Sequence, residues 1–242
     1  MEIIKGIEII DLALYLKKKK ILILADTHIG YEESLNKQGI LMPRFQFKEI
    51  IERLEKIIKQ TAKVDKIIIN GDIKHEFGTI SEQEWRHTLR LLDFLGKYCN
   101  EIILVKGNHD KILGPIAEKR KVKTVEEYKV GDILIVHGNK IPEEERLKGI
   151  KTIIIGHEHP AISIKEGVRA EVFKCFLKGK WKDKTLIVQP SLNLVTEGTD
   201  ISKERLLSPF LKGDLGSFEC FIVADEVYGF GKLKKFRQHR MY

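Results

Sequence analysis

Five short polar clusters carry side chains of the types that bind metal ions: Asp26-Thr27-His28, Asn70-Gly71-Asp72, Gly107-Asn108-His109-Asp110, His137-Gly138 and Gly156-His157-Glu158-His159. Five of the eight histidines lie in them. A single DxH or GD in a loop usually marks a turn or a helix cap. Here five clusters occur in series, and each follows a short aliphatic run. Asp26, His28, Asp72, Asn108, His137, His157 and His159 offer four imidazoles, two carboxylates and one amide oxygen. Seven donors are too many for one tetrahedral ion and suit two ions that share a carboxylate. The set contains no thiolate, so it matches borderline divalent ions (Mn, Fe, Zn, Co or Ni) better than calcium or an all-oxygen magnesium site.

Two ions held roughly 3.5–4 Å apart can clamp the entering and leaving oxygens of an in-line phosphoryl displacement. Their charge outweighs that of two aspartates and a bridging hydroxide, which leaves a cationic pocket. Such a pocket attracts a phosphate ester and stabilises the equatorial charge of its transition state. The bridging hydroxide forms near neutral pH because coordination lowers the pKa of water.

The elements that must position these donors are legible in the runs before them. Ile21–Ala25, Lys66–Ile69, Ile102–Val105, Ile133–Val136 and Thr152–Ile155 are β-branched or aliphatic without polar alternation, as expected of strands buried on both faces. Every cluster falls at the carboxyl end of such a strand, where open α/β sheets bind ligands. Between strands, Ile50, Ile51, Leu54, Ile57 and Ile58 follow helical spacing from Phe47 onward. Ser81 and Glu84 form a capping box, Ile80 and Trp85 fit a hydrophobic staple, and Leu89, Leu92 and Leu95 continue the buried stripe.

Strand–helix alternation over residues 20–105 predicts an α/β fold with a largely parallel first sheet. The later strands, at Val168–Phe176, Thr185–Val188 and Glu219–Val223, predict a second sheet packed on it. The expected organisation is one domain over 1–242, with a motif-bearing part at 20–160 and a second-sheet part at 161–242.

Composition narrows the setting. The 242 residues carry 43 Lys+Arg against 35 Asp+Glu, a formal +8, which favours anionic partners without specifying a reaction. Aliphatic runs are far shorter than the roughly 20 residues of a membrane helix. The start, MEIIKGIEII, lacks the pattern of a signal peptide. Cys99, Cys175 and Cys220 form no CxxC pattern and suit free thiols in a reducing compartment. A cytoplasmic protein without membrane association is therefore expected.

The ordered set from Asp26-x-His28 to Gly156-His157-Glu158-His159 resembles the calcineurin-like metallophosphoesterase superfamily, across residues 26–159. Gly71-Asp72-Ile73-Lys74-His75-Glu76-Phe77-Gly78, with His159-Pro160, is most similar to the SbcD-related archaeal and PdeM-like branch. The resemblance implies a four-layer α/β/β/α sandwich of two mixed sheets flanked by helices. It implies that Asp26, His28 and His159 hold one metal, that Asn108, His137 and His157 hold the other, and that Asp72 bridges them. It further implies that His109 faces the substrate, that Asp110 orients the His109 ring, and that His75 stands at the spacing where SbcD-like nucleases carry a histidine, with contact to phosphate or a supporting hydrogen bond as its role. The expected cofactors are two divalent transition metal ions, manganese first, with Fe, Zn, Ni or Co as alternatives.

The expected enzyme is a dinuclear metallophosphoesterase in which a metal-bridging hydroxide attacks a phosphate ester in line. A phosphodiester of nucleotides or nucleic-acid ends is the expected substrate. A phosphomonoesterase with the same site, or a non-enzymatic protein-interaction scaffold, is the alternative. Nucleic acid is a candidate partner. Lys174–Lys184 and the tail Lys232–Arg240 interleave cations with aromatics, as single-strand nucleic-acid grooves do. A hairpin turn and a solvated tail explain the same composition and are the favoured reading. Arg44, His87, His239 and Lys17–Lys20 are expected at the surface.

Overall fold

A computed structural model describes residues 1–77, 80–110, 113–166 and 169–235. The first sheet contains β1 (Glu2–Ile4), β2 (Ile7–Ile10), β3 (Ala13–Leu16), β4 (Ile21–Ala25), β5 (Lys66–Asn70), β6 (Glu101–Val105) and β7 (Lys123–Val125), in that spatial order. The second contains β8 (Glu127–Val130), β9 (Ile133–Val136), β10 (Thr152–Ile155), β11 (Pro160–Glu166), β12 (Arg169–Trp181), β13 (Lys184–Val188), β14 (Thr199–Asp200), β15 (Glu219–Val223) and β16 (Val227–Lys232). Its main path runs β14-β11-β12-β13-β10-β9-β8, and β15 joins β12 to β16. Helices α1 (Tyr31–Lys37), α2 (Gln46–Gln60), α3 (Glu82–Leu95) and α4 (Gly114–Lys119) all lie in the first half of the chain.

Both sheets are mixed, as the α/β/β/α expectation requires. The first departs from the largely parallel reading: β4 to β7 pair in parallel, whereas β1 to β4 form an antiparallel meander. Tight turns such as Gly6 and the exposed 3-10 turn Lys17–Lys19 allow those first strands to fold back without a crossover helix. The second sheet also starts earlier than residue 161, because β8, β9 and β10 belong to it. Aliphatic runs that are alike in sequence carry no mark of which sheet receives them.

The two sheets meet face to face. Ile135, Ile154, Phe176 and Ile187 point from the second sheet into a core shared with Ile23 and Ile68 of the first. Their sequence neighbours Leu134, Ile153, Ile155, Cys175, Leu177 and Leu186 point the other way, into a second core with Leu147, Phe210 and Leu211. With both faces covered, these strands have no polar alternation. The cover over the second core includes the 3-10 turns Glu144–Leu147 and Pro209–Leu211. The outer layer there is thinner than the α2 and α3 layer over the first sheet.

Both expected helices form. Ile50, Leu54 and Ile57 of α2 are fully buried, and Leu89, Leu92 and Leu95 of α3 are buried. Ile80 and Trp85 are half-buried against the same core. Ser81 caps α3 by accepting from the Glu84 amide at 3.1 Å, and the Glu84 carboxylate accepts from the Ser81 amide at 3.0 Å. Ser81→Ala is expected to lower stability by about 1 kcal/mol in urea unfolding, the usual value of a serine N-cap. A change near zero would mean that tertiary packing alone fixes this helix start.

Candidate metal centre

Register brings the clusters together. In the first sheet Ala25 pairs with Asn70 and Asn70 with Val105, so Asp26, Gly71-Asp72 and the Gly107 loop leave their strands at one level. In the second, Ile155 pairs with Val136 and Val188, which aligns His137, Gly156 and Gln189 in the same way. Two buried amides tie these ends together. Asn70 Nδ2 donates to the Val136 carbonyl at 3.0 Å, and Gln189 Nε2 donates back to the Ile23 carbonyl at 3.0 Å. The clusters of both sheets therefore face one another at the mouth of the sandwich.

Asp72 divides its two oxygens between backbone and site, whereas Asp26 Oδ2 serves both, facing His159 Nε2 at 3.5 Å as well as a backbone amide. Asp26 Oδ2 accepts from the His157 amide at 2.8 Å, and its Oδ1 lies 3.3 Å from His137 Nδ1. Asp72 Oδ1 accepts from the His109 amide at 2.9 Å. Its Oδ2 faces His137 Nε2 at 3.3 Å and His28 Nε2 at 3.9 Å. Among the described residues three groups of donors result, Asp26–His28–His159, Asp72–His137–His157 and, toward the rim, His28–His75–His109, each with its ligand atoms within 4.8 Å of one another; the first two hold the ligands named from the sequence. Asn108 Oδ1 joins the second group, 2.9 Å from His137 Nε2. All seven candidate ligands named from the sequence thus converge.

This convergence strains the backbone. Asp26, His28, Asp72, His157 and His159 have φ of 49°, 43°, 33°, 63° and 49°, in the left-handed region that non-glycine residues avoid. Such conformations cost of order 1–3 kcal/mol each and persist where surrounding structure over-determines them. Here His28 N donates to the Asp72 carbonyl and Ile29 N to the Ile73 carbonyl, both at 2.9 Å, which locks the first two loops together. Space is equally tight at Gly107, where a Cβ would strike the Asp72 carboxylate and amide.

The protonation pattern suits cation binding. Burial pushes His28 down to about 3. Burial and the neighbouring His137 push His157 down to about 4. Both rings are therefore neutral and have a free lone pair. Burial would raise Asp26, but the His137 and His159 rings outweigh it and hold the carboxyl well below its ordinary range. Despite its burial, His137 is held up at about 10 by the two aspartates, so a proton occupies the position between them. His28 Nε2 and His159 Nε2 face each other at 3.3 Å, and His28 Nδ1 is buried with no hydrogen-bond partner. Neutral imidazoles and ionised carboxylates fit a pair of borderline divalent cations.

His109 lies at the rim, with Nε2 3.8 Å from Asp72 Oδ2 and the Phe77 ring over it at 3.5 Å between centroids. Its Nδ1 hydrogen-bonds the His75 carbonyl. The expectation that Asp110 orients the His109 ring is corrected here. The buried Asp110 carboxylate instead accepts from the Ile73 amide at 3.1 Å and the Gly107 amide at 2.9 Å, closing the Gly107–Asp110 loop onto the Asp72 loop. A short loop that aims His109 outward has its aspartate aimed inward. His75 stacks on Tyr31 at 4.1 Å between centroids, and its Nδ1 is buried without a partner. Burial and His109 hold His75 down to about 4.

Sequence reasoning missed several supports. Glu84, known from the capping box, also accepts from the His75 and Glu76 amides at 3.1 and 2.8 Å. Gln46 Nε2 donates to the His28 carbonyl at 3.0 Å and to Asn193 Oδ1 at 3.1 Å. Lys174, expected on an exposed hairpin, is 9% exposed because the inter-sheet face of β12 turns it inward. His87, expected at the surface, is half-buried with its ring stacked on Phe47. Arg44 is exposed, as expected. His239 and the tail from Phe236 lie outside the described residues.

A family model described as calcineurin-like phosphoesterase matches residues 19–171. The chain belongs to this family, and it is a hydrolase of phosphate esters. Among solved structures, the crystal structure of Pseudomonas putida nuclease MPE aligns over 92% of this chain and 93% of that one, with a TM-score of 0.64 and 17% identity, which shows a shared fold. The protein of unknown function AQ665 from Aquifex aeolicus is 23% identical over 57% of this chain and 78% of that one, with a TM-score of 0.37. Wild-type Vps29 complexed with zinc from Entamoeba histolytica is 15% identical over 87% and 99%, with a TM-score of 0.36. No curated protein matches the chain. Among the described residues of this phosphoesterase, no helix is long and apolar enough to cross a membrane.

A cation that binds the folded site and not the unfolded chain must stabilise the fold. At roughly 100 times its dissociation constant, Mn, Zn, Co or Ni is expected to add about 2.7 kcal/mol, read as a chelator-reversible rise in melting temperature. An unchanged melting temperature with all four ions would remove the metal centre from consideration.

Proposed function

We propose that this chain is a dinuclear metal-dependent phosphodiesterase acting on nucleotides or nucleic-acid ends. Asp26, His28 and His159 would hold one divalent ion, Asn108, His137 and His157 the other, and Asp72 would be shared. The observation that carries this reading is the position of Asp72 Oδ2, which faces His137 on one side and His28 on the other while Oδ1 is held by a backbone amide. When bound, two such ions, manganese foremost, supply Lewis acidity toward a phosphoryl oxygen and lower the pKa of water.

The chain's own residues do the rest. Because His109 Nδ1 bonds a carbonyl, that nitrogen carries the ring proton, and Nε2 is left facing the site. Protonated there, His109 would donate to a phosphoryl or leaving-group oxygen and release the proton as the ester bond breaks. Phe77, 59% exposed and packed at a tilt against that ring, restricts its rotation and screens one side from water. His75 holds His109 through its backbone carbonyl. A formal charge of +8 and the fold shared with a nuclease support an anionic diester substrate. Three free cysteines support a reducing, cytoplasmic setting.

Two variants separate the roles. His109→Ala is expected to keep both ions and lose roughly 10²–10⁴ in turnover, the range of general acid catalysis. Asp72→Asn is expected to lose bound metal as well as turnover. Both are assayed with a generic diester, a generic monoester, and single- and double-stranded DNA, under Mn, Ni and Zn. Wild-type activity in either variant would contradict the assigned role. Preference for the monoester would make the enzyme a phosphomonoesterase with the same site, and no turnover of any ester would favour a scaffold.

A further inference from the structure

All three donors of the first group depend on one loop that lies beyond the residues matched by the family model. It runs from Gln189, at the end of β13, to Thr199, the first residue of β14. Leu192 N donates to the Ala25 carbonyl at 2.8 Å and Asn193 N to the Asp26 carbonyl at 3.2 Å. Asn193 Oδ1 accepts from Gln46 Nε2, which also holds the His28 carbonyl, and from the Val195 amide. Thr199 N donates to the His159 carbonyl at 2.9 Å. These are the carbonyls of the three donors of that group, and all three have positive φ. The other group, Asp72, Asn108, His137 and His157, has no backbone bond from this loop among those described.

The loop is itself pinned by a single buried lysine head group. Lys174 Nζ lies 3.1 Å from Ser191 Oγ, 2.7 Å from the Thr196 carbonyl and 3.2 Å from the Glu197 carbonyl. Three acceptors match the three N–H groups of an ammonium. They lie on both sides of the loop, next to Leu192-Asn193 and just before Gly198-Thr199. Lys174 stands on β12 opposite Ala161 of β11, the strand that starts directly after His159. A buried lysine far outlasts a solvated one as a fixed post, because the carbonyls it serves have no water to turn to.

We infer that Lys174 is a positioning residue for one half of the metal centre: by holding the 189–199 loop it sets the affinity of the ion bound by Asp26, His28 and His159, and it acts far less on the other ion. The inference rests on the two-ion reading above. Residues that orient ligands from behind typically change metal affinity by roughly 10–100-fold, and that is the loss expected at this half alone.

The test is manganese titration of the full chain by calorimetry, with electron paramagnetic resonance on the same samples. Wild type should bind two ions and show a spin-coupled pair. Lys174→Met keeps the length and apolar stem but removes every donor. It should bind one ion with close to wild-type affinity and the second roughly 10–100-fold more weakly, so that a mononuclear manganese signal replaces the coupled one at limiting metal. Ser191→Ala removes one acceptor and leaves the lysine in place. It should shift the same ion in the same direction by less, and it decides the matter if Lys174→Met does not fold. A general loss of stability would weaken both ions together. That result, or two unchanged affinities in either folded variant, overturns the inference while the two-ion reading stands. Absence of a second ion in wild type overturns the two-ion reading itself.

Discussion

The centre depends on two aspartates that each serve two masters. Asp26 and Asp72 are both buried, and each gives one oxygen to a backbone amide of another ligand loop and turns the other toward the imidazoles. The amide bond fixes the direction of the free oxygen, so the carboxylate cannot rotate to relieve repulsion from its neighbour. It also joins loops far apart in sequence, residue 26 with 157 and residue 72 with 109. The site and the closure of the sandwich mouth are therefore one set of interactions.

Strain follows from this arrangement. A strand that simply ran on would carry its next side chain to one face or the other of the sheet. Bringing donors from two sheets to one point requires the chain to turn sharply at the strand end, and five of the seven candidate ligands do so with positive φ. The energy is offset by hydrogen bonds that those turns receive from Gln46, the Asp72 and Ile73 carbonyls, and the 189–199 loop. The two carboxylates hold the buried His137 ring well above the usual imidazole range. Electrostatic balance at the site thus already calls for positive charge.

Around this rigid floor the rim is aromatic and partly exposed. Tyr31 stacks on His75 and Phe77 packs at a tilt on His109, the two rim histidines that are not among the seven candidate ligands. Packing holds the His109 ring in orientation without using Nε2, which stays turned toward the site. Glu84 adds a link from the helical layer: the same carboxylate that caps α3 accepts from the amides of His75 and Glu76. Helix start and rim geometry are therefore coupled.

The sequence by itself determined the local and repeated features. Runs of Ile, Leu and Val without polar alternation marked the motif strands to within a residue or so, the spacing of Ile50, Leu54 and Ile57 marked a helix, and Ser81 with Glu84 marked its start. The seven donors were legible because metal chemistry restricts residue type and because each follows a strand. Tertiary structure decided what depends on pairing between distant segments. It assigned β9 and β10 to the second sheet, folded residues 2–16 into an antiparallel meander, and turned Asp110 toward the Ile73 and Gly107 amides. It also buried Lys174 beneath a loop whose composition, QPSLN, announces nothing. The reason is physical: strand and helix propensities act over a few neighbouring residues, whereas sheet order and the partner of a buried polar group are set by which surfaces meet.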